Sequence, residues 1–418
     1  MDTTPKGNRL HIALLGRTNV GKSSFLNMVV GQDIAITSPV AGTTTDVVEK
    51  AMELLPLGPV LLLDTAGLDD ASELSALRLK KTEKIFGRTD VALLVTEPDI
   101  WGTYEEEVLA EMGKRGVPVI VVINKIDLHR PSDSFLQNLK AKAPHVIPVS
   151  SLDTAGRNAF LDTLKRRLLE VAPEDFVQPP SLVGDLLPPG GLAVLVVPID
   201  LQAPKGRLIL PQVQTIRDAL DNDAAVLVVK ERELPAKLAL LNRQPDIVIC
   251  DSQVILKVSA DVAPSIPLTT FSILFARQKG DLATAAEGAA YIESLQSGDK
   301  VLIAEACSHH PLEDDIGRVK IPRWLKQYTG GNIQTDVSAG RDYPENLREY
   351  KLIIHCGACM LTRREMLGRQ QQAREAEVPV TNYGLAISFT QGVVRRTLSP
   401  FPSALLAFDR KIKERHPR

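Results

Sequence analysis

The residues best suited to do chemistry lie near the N-terminus, in the run Gly16-Arg17-Thr18-Asn19-Val20-Gly21-Lys22-Ser23. This run has the spacing G-x-x-x-x-G-K-S and directly follows the apolar segment Leu10–Leu15. Glycines at these places let successive backbone N–H groups face phosphate oxygens, while the lysine reaches the β- and γ-oxygens and the serine hydroxyl binds Mg²⁺. The spacing therefore predicts a phosphate-binding loop whose nucleotide-binding residues are Gly16, Arg17, Asn19, Val20, Gly21, Lys22, Ser23 and Ser24.

Three further motifs follow in the order typical of a GTP-binding domain. Asp64-Thr65-Ala66-Gly67 ends an apolar run, where Asp64 can reach the Mg²⁺ shell and the Gly67 amide can sense the γ-phosphate. In Asn124-Lys125-Ile126-Asp127, the Asp127 carboxylate can accept two hydrogen bonds from guanine that adenine does not offer. Ser150-Ser151 stands where a second guanine-contacting loop is expected. The four motifs together predict GTP and GDP as ligands.

Between the first two motifs lies Gly42-Thr43-Thr44-Thr45-Asp46, which can supply Thr44 as a switch threonine on Mg²⁺ beside Ser23. This set of motifs resembles the GTPases of the tRNA-modification and Era-like branch. In the potassium-dependent members of that branch, an asparagine in the phosphate-binding loop helps to bind K⁺. Asn19 matches that position, so the resemblance implies that K⁺ activates this protein.

The residue that follows the Asp64–Gly67 motif bears on the rate of hydrolysis. Ras-type enzymes place a water-orienting glutamine there, whereas this chain has Leu68, which cannot orient water. We therefore expect slow intrinsic hydrolysis. The carboxylate of Glu73 is either a substitute for the glutamine or a solvated helix residue.

Three cysteines in the C-terminal part form a second candidate site. Cys307 follows the apolar run Val301–Ala306, and Cys356-Gly357-Ala358-Cys359 follows the run Lys351–Ile354. If these runs are neighbouring parallel strands, the thiols emerge at the same edge of one sheet. The spacing leaves three interpretations open: an iron–sulfur cluster with one weaker or open position, a zinc site completed by histidine, and a redox-active pair.

Two smaller features of the C-terminal half have predicted roles of their own. Arg318, Lys320 and Arg323 lie between the two cysteine segments and either offset the charge of an anionic ligand or form a solvated basic face. The fourth cysteine, Cys250, ends an apolar run without a second cysteine nearby in the sequence. We expect it to be a buried structural thiol.

The composition narrows the classes of protein to which the chain can belong. Its 418 residues are 44% hydrophobic and 24% charged, as in ordinary soluble globular proteins. With 49 basic and 51 acidic residues, the net charge of −2 offers no field that attracts nucleic acid or an anionic membrane. No signal-peptide segment or membrane span is apparent. We expect a cytoplasmic protein with reduced thiols and no nucleic-acid or membrane partner.

The elements that must position these residues indicate an α/β protein. Residues 1–172 alternate apolar runs with helix-compatible segments, which predicts a P-loop GTPase domain with a parallel-type sheet. Five prolines within residues 173–190 predict a linker. Two smaller α/β domains are expected after it, residues 191–264 and 265–418. The first of them has so small a core that we expect a homodimer through this middle domain.

With the nucleotide motifs and the pattern Cys307-Ser308-His309 … His355-Cys356-Gly357-Ala358-Cys359 in place, the chain resembles the [FeFe]-hydrogenase maturation GTPases over essentially its whole length. The resemblance implies that Cys307, Cys356 and Cys359 hold a [4Fe–4S] cluster, with His309 or His355 as an exchangeable fourth ligand. The three domains are then a GTPase domain, a dimerisation domain and a cluster domain.

The resemblance also implies a role and partners. The protein is expected to be a scaffold and carrier that delivers a di-iron precursor to apo-[FeFe]-hydrogenase, with the radical-SAM hydrogenase maturases as further partners. The alternative is a tRNA-modification or ribosome-assembly GTPase whose cysteines bind zinc. The near-neutral charge and the lack of an aromatic and basic stacking platform argue against that alternative.

Overall fold

Three sheets organise the part of the chain that the structure, a computed structural model, describes: residues 4–31, 48–64, 85–198, 208–306, 315–340, 343–344 and 346–415. The chain divides into two units, Met1–Pro179 and Pro180–Arg418. The first sheet lies in the first unit, and the other two lie in the second. Within the described ranges, no helix has both the length and the hydropathy needed to cross a membrane.

The first sheet is the one that the apolar runs predict, with an added edge strand. Its described strands are β1 (Leu10–Leu15), β2 (Val48–Leu54), β3 (Gly58–Asp64), β4 (Val91–Thr96), β5 (Val119–Ile123) and β6 (His145–Pro148). Their order is β2-β3-β1-β4-β5-β6. All described pairs are parallel except that of β2 with β3. The prediction of an α/β domain with a parallel-type sheet is confirmed.

Helices cover both faces of the first sheet, and this explains why its central strands are apolar throughout. Every residue of β1 and of β4 is buried, as expected of a strand with helices on both sides. Phe25 and Phe160 meet edge to face on one side of the sheet, with ring centroids 5.7 Å apart. The described helices of this unit are Lys22–Val30, Thr103–Lys114, Asp133–Lys142, Arg157–Val171 and Glu174–Val177, with a 3₁₀ turn at Lys6–Asn8.

The second sheet consists of β7 (Leu192–Val196), β8 (Ala225–Val229), β9 (Ile247–Cys250) and β10 (Leu268–Thr270). The described strands are parallel and follow the order β10-β9-β7-β8. Strand β10 extends this sheet beyond residue 264, where the sequence placed a domain boundary. The associated helices are Leu210–Asp221, Leu234–Ala239, Ile255–Asp261 and Phe271–Lys279, with 3₁₀ turns at Gly184–Leu186 and Ser252–Val254.

The third sheet consists of β11 (Lys300–Ala304), β12 (Gln334–Ser338), β13 (Leu352–His355) and β14 (Val380–Asn382). Its described strands are also parallel, in the order β12-β11-β13-β14. A π-helical turn, Ile316–Lys320, precedes the helix Ile321–Thr329. The remaining helices are Leu282–Ala289, Arg363–Glu375, Tyr383–Thr390, Val394–Leu398 and Pro402–Arg415, with 3₁₀ turns at Ala290–Ser294 and Leu347–Glu349.

The second and third sheets share one hydrophobic core, so the two predicted C-terminal domains are packed together within one unit. Ile249 of β9 and Ile354 of β13 belong to the same buried cluster.

The first residues of the second unit are also packed within it. The Asp218 carboxylate accepts hydrogen bonds from the N–H groups of Leu182 and Val183 at 3.1 and 2.7 Å, and both residues are buried. The predicted 173–190 linker is therefore structured in part, since it contains the helix Glu174–Val177 and its residues Leu182 and Val183 pack within the second unit.

Candidate functional sites

The phosphate-binding loop joins β1 to the helix Lys22–Val30 and has the backbone shape that its motif requires. Gly16, Asn19 and Gly21 have φ values of +149°, +66° and +91°, which favour glycine or asparagine. A Cβ atom on Gly16 would lie 2.4 Å from the carbonyl oxygen of Val95, so no side chain fits there. The buried Lys22 ammonium donates to the carbonyl oxygens of Gly16 and Arg17 at 2.6 and 2.9 Å. Its charge is therefore held inside the loop.

Two further residues of this loop are held by partners on neighbouring elements. The guanidinium of Arg17 donates to both oxygens of Glu105, which is fully buried in the helix Thr103–Lys114. Hydrogen bonding to Glu105 raises the pKa of the Arg17 guanidinium. The carbonyl of Asn19 accepts a hydrogen bond of 2.6 Å from the Lys125 ammonium, which also pairs with Glu97 at 2.5 Å. The side chain of Asn19, the predicted K⁺ ligand, is exposed.

The side chain of Asn124 connects three of the nucleotide motifs. Its Nδ2 donates to the carbonyl oxygen of Val20 at 3.0 Å, and its Oδ1 accepts from the backbone N–H and the hydroxyl of Ser151 at 3.0 and 2.8 Å. Asp127 is exposed just beyond β5, and Ser150 is buried beside Ser151. The guanine-recognising residues predicted from sequence are thus brought to one edge of the sheet.

The predicted Mg²⁺ residues are described only in part. Asp64 is the last residue of β3, is buried, and lies in register with Leu14 of β1. Ser23 is exposed in the first turn of its helix, and Ser24 is exposed beside it. The predicted Gly67 and Thr44 contacts, and the water-positioning candidate Glu73, lie outside the described residues.

The cysteine site begins where β11 and β13 end side by side. Ala304 lies opposite His355, so the two strands are parallel neighbours, as the argument from sequence assumed. The N–H of Cys356 donates to the carbonyl of Ala304 at 2.9 Å, and the N–H of Ala306 donates to Cys356 Sγ at 3.1 Å. The segment that leads to Cys307 is therefore next to Cys356. Cys307 and His309 themselves lie outside the described residues.

The surroundings of Cys356 and Cys359 are apolar and compact. Cys356 packs against a small buried cluster, and both thiols are partly exposed. Ala358 has a φ of +54°, which turns the chain between the two cysteines. Among the described residues, to which Cys307 does not belong, no group of three or more His, Cys, Asp or Glu side chains is arranged to hold a metal. The buried cluster consists of Ala306, Ala358, Leu361 and Met366.

His355 is completely buried and hydrogen-bonded through both ring nitrogens. Nδ1 lies 3.1 Å from the carbonyl oxygen of Cys356, and Nε2 lies 2.8 Å from Nη1 of Arg369. Burial, together with the charge of Arg369, lowers the pKa of His355 to about 3. The imidazole is therefore neutral at physiological pH.

The three basic residues predicted to face an anionic ligand have different surroundings. Arg318 donates through Nη2 to Glu305 at 2.8 Å, and Glu305 is buried. Lys320 donates to Oε1 of Gln253 at 2.7 Å, whereas Arg323 is exposed. The charge of Arg318 is thus balanced within the fold, which weakens the interpretation of the three residues as one anion-binding face. Cys250 is completely buried, as predicted, and burial raises the pKa of its thiol.

Sequence reasoning missed two side chains that support these sites, Glu105 and Arg369. Each contacts a residue that the motifs did identify, but neither belongs to a motif. The signal for Glu105 was its place in the first turn of a helix, where it also accepts a hydrogen bond from the N–H of Gly102 at 2.8 Å. Arg369 offered no local signal.

Three family models match separate parts of this chain. Residues 11–125 match the family described as 50S ribosome-binding GTPase. Residues 182–280 match the hydrogen maturase F dimerization domain, and residues 283–400 match the hydrogen maturase F tetramerization domain. The two hydrogen maturase F models meet between residues 280 and 283, which agrees with the inclusion of β10 in the second sheet.

Individual relatives match the N-terminal part. The tRNA modification GTPase MnmE of Paraburkholderia xenovorans is 39% identical over 120 residues, which are 28% of this chain and 26% of that protein. MnmE of Ralstonia nicotianae is 35% identical over 172 residues, 39% of this chain and 35% of that one. The chain thus spans about a quarter to a third of the length of these curated relatives.

Among solved structures, Aquifex aeolicus Era bound to GDP and AlF4⁻ is similar, with 22% identity and a TM-score of 0.33 over 56% of this chain and 98% of that one. The relatives of the N-terminal region identify a GTPase domain, and the two models that cover the second unit are specific to one family. On these grounds, the chain belongs to the hydrogen maturase F family.

Proposed function

We propose that this protein is a GTP-binding, slowly hydrolysing scaffold that holds a [4Fe–4S] cluster on Cys307, Cys356 and Cys359. Beside the cluster it carries a di-iron precursor, which it delivers to apo-[FeFe]-hydrogenase in the cytoplasm. The observation that supports this most directly is the parallel pairing of β11 and β13 at the cysteines. That pairing occurs within a region that matches a hydrogen maturase F domain.

The donor set fits an iron–sulfur cluster. Thiolate is the ligand that such clusters prefer, and hydrogen bonds to sulfur tune their potentials. The N–H of Ala306 already donates to Cys356 Sγ at 3.1 Å. The partly exposed Cys356 and Cys359 leave the site open for a delivered cargo. When bound, a cluster with three thiolate ligands supplies an iron whose fourth position can be exchanged.

The chain's own residues shape this site before any metal is present. The N–H group of Ala306 stabilises negative charge on Cys356 Sγ. The apolar side chains of Leu361 and Met366 limit the access of water to that sulfur. The left-handed backbone of Ala358 makes the turn that returns the chain toward the helix Arg363–Glu375.

In the GTPase domain, we assign Lys22 to the β- and γ-phosphates, and Ser23, Thr44 and Asp64 to the Mg²⁺ shell. Asp127 selects guanine, because its carboxylate accepts from the two adjacent N–H groups that guanine presents. Asn19 is the proposed K⁺ ligand. Its backbone is fixed by the hydrogen bond from Lys125, while its side chain is exposed on the loop.

The dimerization and tetramerization models that match the second unit support an oligomer. We assign the homodimer contact to the middle domain. In the described part of the chain, β8 is an edge strand of the second sheet, and it is apolar yet largely uncovered. Such an edge is normally paired or covered. The radical-SAM hydrogenase maturases are the further partners that we propose.

The test of the cluster proposal is anaerobic purification of the full chain, followed by iron, sulfide and zinc analysis and EPR of the reduced protein. We expect about four irons and four sulfides per chain, lost in the Cys356→Ser variant and kept in the Cys250→Ser variant. Stoichiometric zinc without an EPR-active cluster would instead favour the zinc-binding tRNA-modification or ribosome-assembly GTPase.

A further inference from the structure

Arg369 is buried at the carboxyl edge of the third sheet, where it connects three segments. The residue is only 7% exposed, although the helix Arg363–Glu375 on which it lies consists mainly of polar residues. Nη1 donates to Nε2 of His355 at 2.8 Å, and Nη2 donates to the carbonyl oxygen of Gly340 at 2.9 Å. The guanidinium carbon lies 5.1 Å from the ring centroid of Tyr343. Because a buried guanidinium is costly unless its N–H groups are paired, these contacts hold the side chain in one place.

The contact with Arg369 determines which nitrogen of His355 carries the proton. A guanidinium only donates, so Nε2 must be the accepting, unprotonated nitrogen. Nδ1 then carries the hydrogen and donates it to the carbonyl oxygen of Cys356 at 3.1 Å. The imidazole therefore connects the guanidinium of Arg369 to the backbone of the first cysteine in the C-x-x-C segment.

We propose that Arg369 is a positioning residue that acts through His355 on the Cys356–Cys359 segment, and that His355 does not ligate the cluster. This inference rests on the proposed cluster function. Ligation through Nε2 would break the hydrogen bond from Arg369, and ligation through Nδ1 would release the carbonyl of Cys356. The hydrogen bond from His355 fixes the orientation of the Cys356 carbonyl. This orientation sets the direction in which the chain leaves β13. It thereby keeps Cys356 Sγ beside the N–H of Ala306.

The first experiment uses metal-free, full-length protein and follows the alkylation of Cys356 and Cys359 by site-resolved mass spectrometry. Arg369→Met should raise the alkylation rate of both cysteines several-fold, as should His355→Ala. The double variant should react no faster than the faster single variant, because both changes release the same restraint. Arg374→Met, on the exposed face of the same helix, is the matched control and should react like the wild type.

His355→Asn separates positioning from a general loss of packing. The asparagine amide can place an N–H group near the position of Nδ1, so it should restore the slow alkylation that His355→Ala loses. Circular dichroism melting identifies any variant that does not fold. If Arg369→Met fails to fold, Arg369→Lys takes its place and should show an intermediate rate. Wild-type alkylation rates in folded Arg369 variants would overturn the proposal.

The second experiment uses cluster-loaded protein with ¹⁵N-labelled histidine and pulsed EPR of the reduced cluster. We expect the nitrogen hyperfine pattern to be the same in the wild type and in His355→Asn, while iron loss to a chelator is faster in Arg369→Met. Loss of a nitrogen coupling in His355→Asn would show that His355 is a ligand and refute the inference. A wild-type protein without iron and sulfide would refute the proposed function instead, and the alkylation experiment would still test the positioning role.

Discussion

Arg17 of the phosphate-binding loop and Glu105 of the helix that follows β4 are joined by two hydrogen bonds, of 2.7 and 2.6 Å. Glu105 is fully buried, and its Oε2 also accepts from the N–H of Gly102. These hydrogen bonds therefore fix the phosphate-binding loop to the helix Thr103–Lys114, which connects β4 to β5. Because the guanidinium of Arg17 is turned to Glu105, we propose that Arg17 contributes to nucleotide binding through the position of its backbone.

Replacing Glu105 by glutamine should weaken GTP binding, because the glutamine amide removes the negative charge and can present its own N–H groups to Arg17. The loss of a charge-assisted hydrogen bond of about 1.5 kcal/mol predicts roughly tenfold weaker binding. Titration with a fluorescent guanine nucleotide measures it. Glu107→Gln, exposed on the same helix, is the control. Wild-type affinity in Glu105→Gln would show that the anchor is not needed.

Replacing Asp127 by asparagine should change the base specificity of the GTPase domain. The asparagine amide cannot accept from both N–H groups of guanine, so GTP affinity should fall about 100-fold, near 3 kcal/mol. Xanthosine triphosphate carries a carbonyl in place of the guanine amino group, and its binding should improve. Competition binding with both nucleotides measures the exchange. Asp133→Asn, on an exposed helix, should leave the preference unchanged.

Potassium should raise the rate of GTP hydrolysis several-fold over sodium, because Asn19 occupies the position of the K⁺-binding asparagine. Phosphate release measured in KCl and NaCl at equal ionic strength tests this. Asn19→Ala should make the two rates equal, whereas Thr18→Ala, at the exposed neighbouring position, should keep the difference. Equal wild-type rates in the two salts would reject K⁺ activation.

The strands that the sequence predicted are those that can be recognised from their own apolar residues. The strand Leu352–His355 lies within one residue of the predicted apolar run Lys351–Ile354, since a strand that is buried on both faces is largely apolar. The strands β2 and β12 were missed. Both are edge strands of the described sheets, and residues such as Glu49 and Asp336 interrupt their apolar pattern. Their place depends on pairing with a neighbour, which a local pattern does not record.

The same distinction applies to the sites. Cys356 and Asp127 could be predicted as site residues because the chemistry proposed for them depends on the spacing of a short motif. Arg369 was not found, since its partner His355 lies 14 positions away. For Arg17 and Glu105 the separation is 88 positions. Residues that hold a motif in place are brought to it by the fold, so their contacts with the motif are seen only in the structure.

Replacing Arg318 by methionine should destabilise the second unit, because it leaves the buried Glu305 carboxylate without its cation. Breaking such a pair costs about 3 kcal/mol, whereas an exposed substitution usually costs less than about 0.5 kcal/mol. Urea unfolding of the metal-free protein measures the difference. Arg323→Met is the exposed control. If both variants unfolded like the wild type, the pair would have no structural role, and the anion-binding interpretation of Arg318 would regain support.

If the middle domain joins the subunits, as we propose, a lysine placed on β8 should separate them. Val228 is 42% exposed on this strand, and lysine on an edge strand opposes pairing with a second chain. Val228→Lys should therefore reduce the molar mass measured by light scattering after size exclusion. Leu55→Lys, at an apolar position in the first unit that is 71% exposed, should leave the mass unchanged. An unchanged mass in Val228→Lys would place the contact away from β8, because a lysine on the paired edge should weaken the dimer.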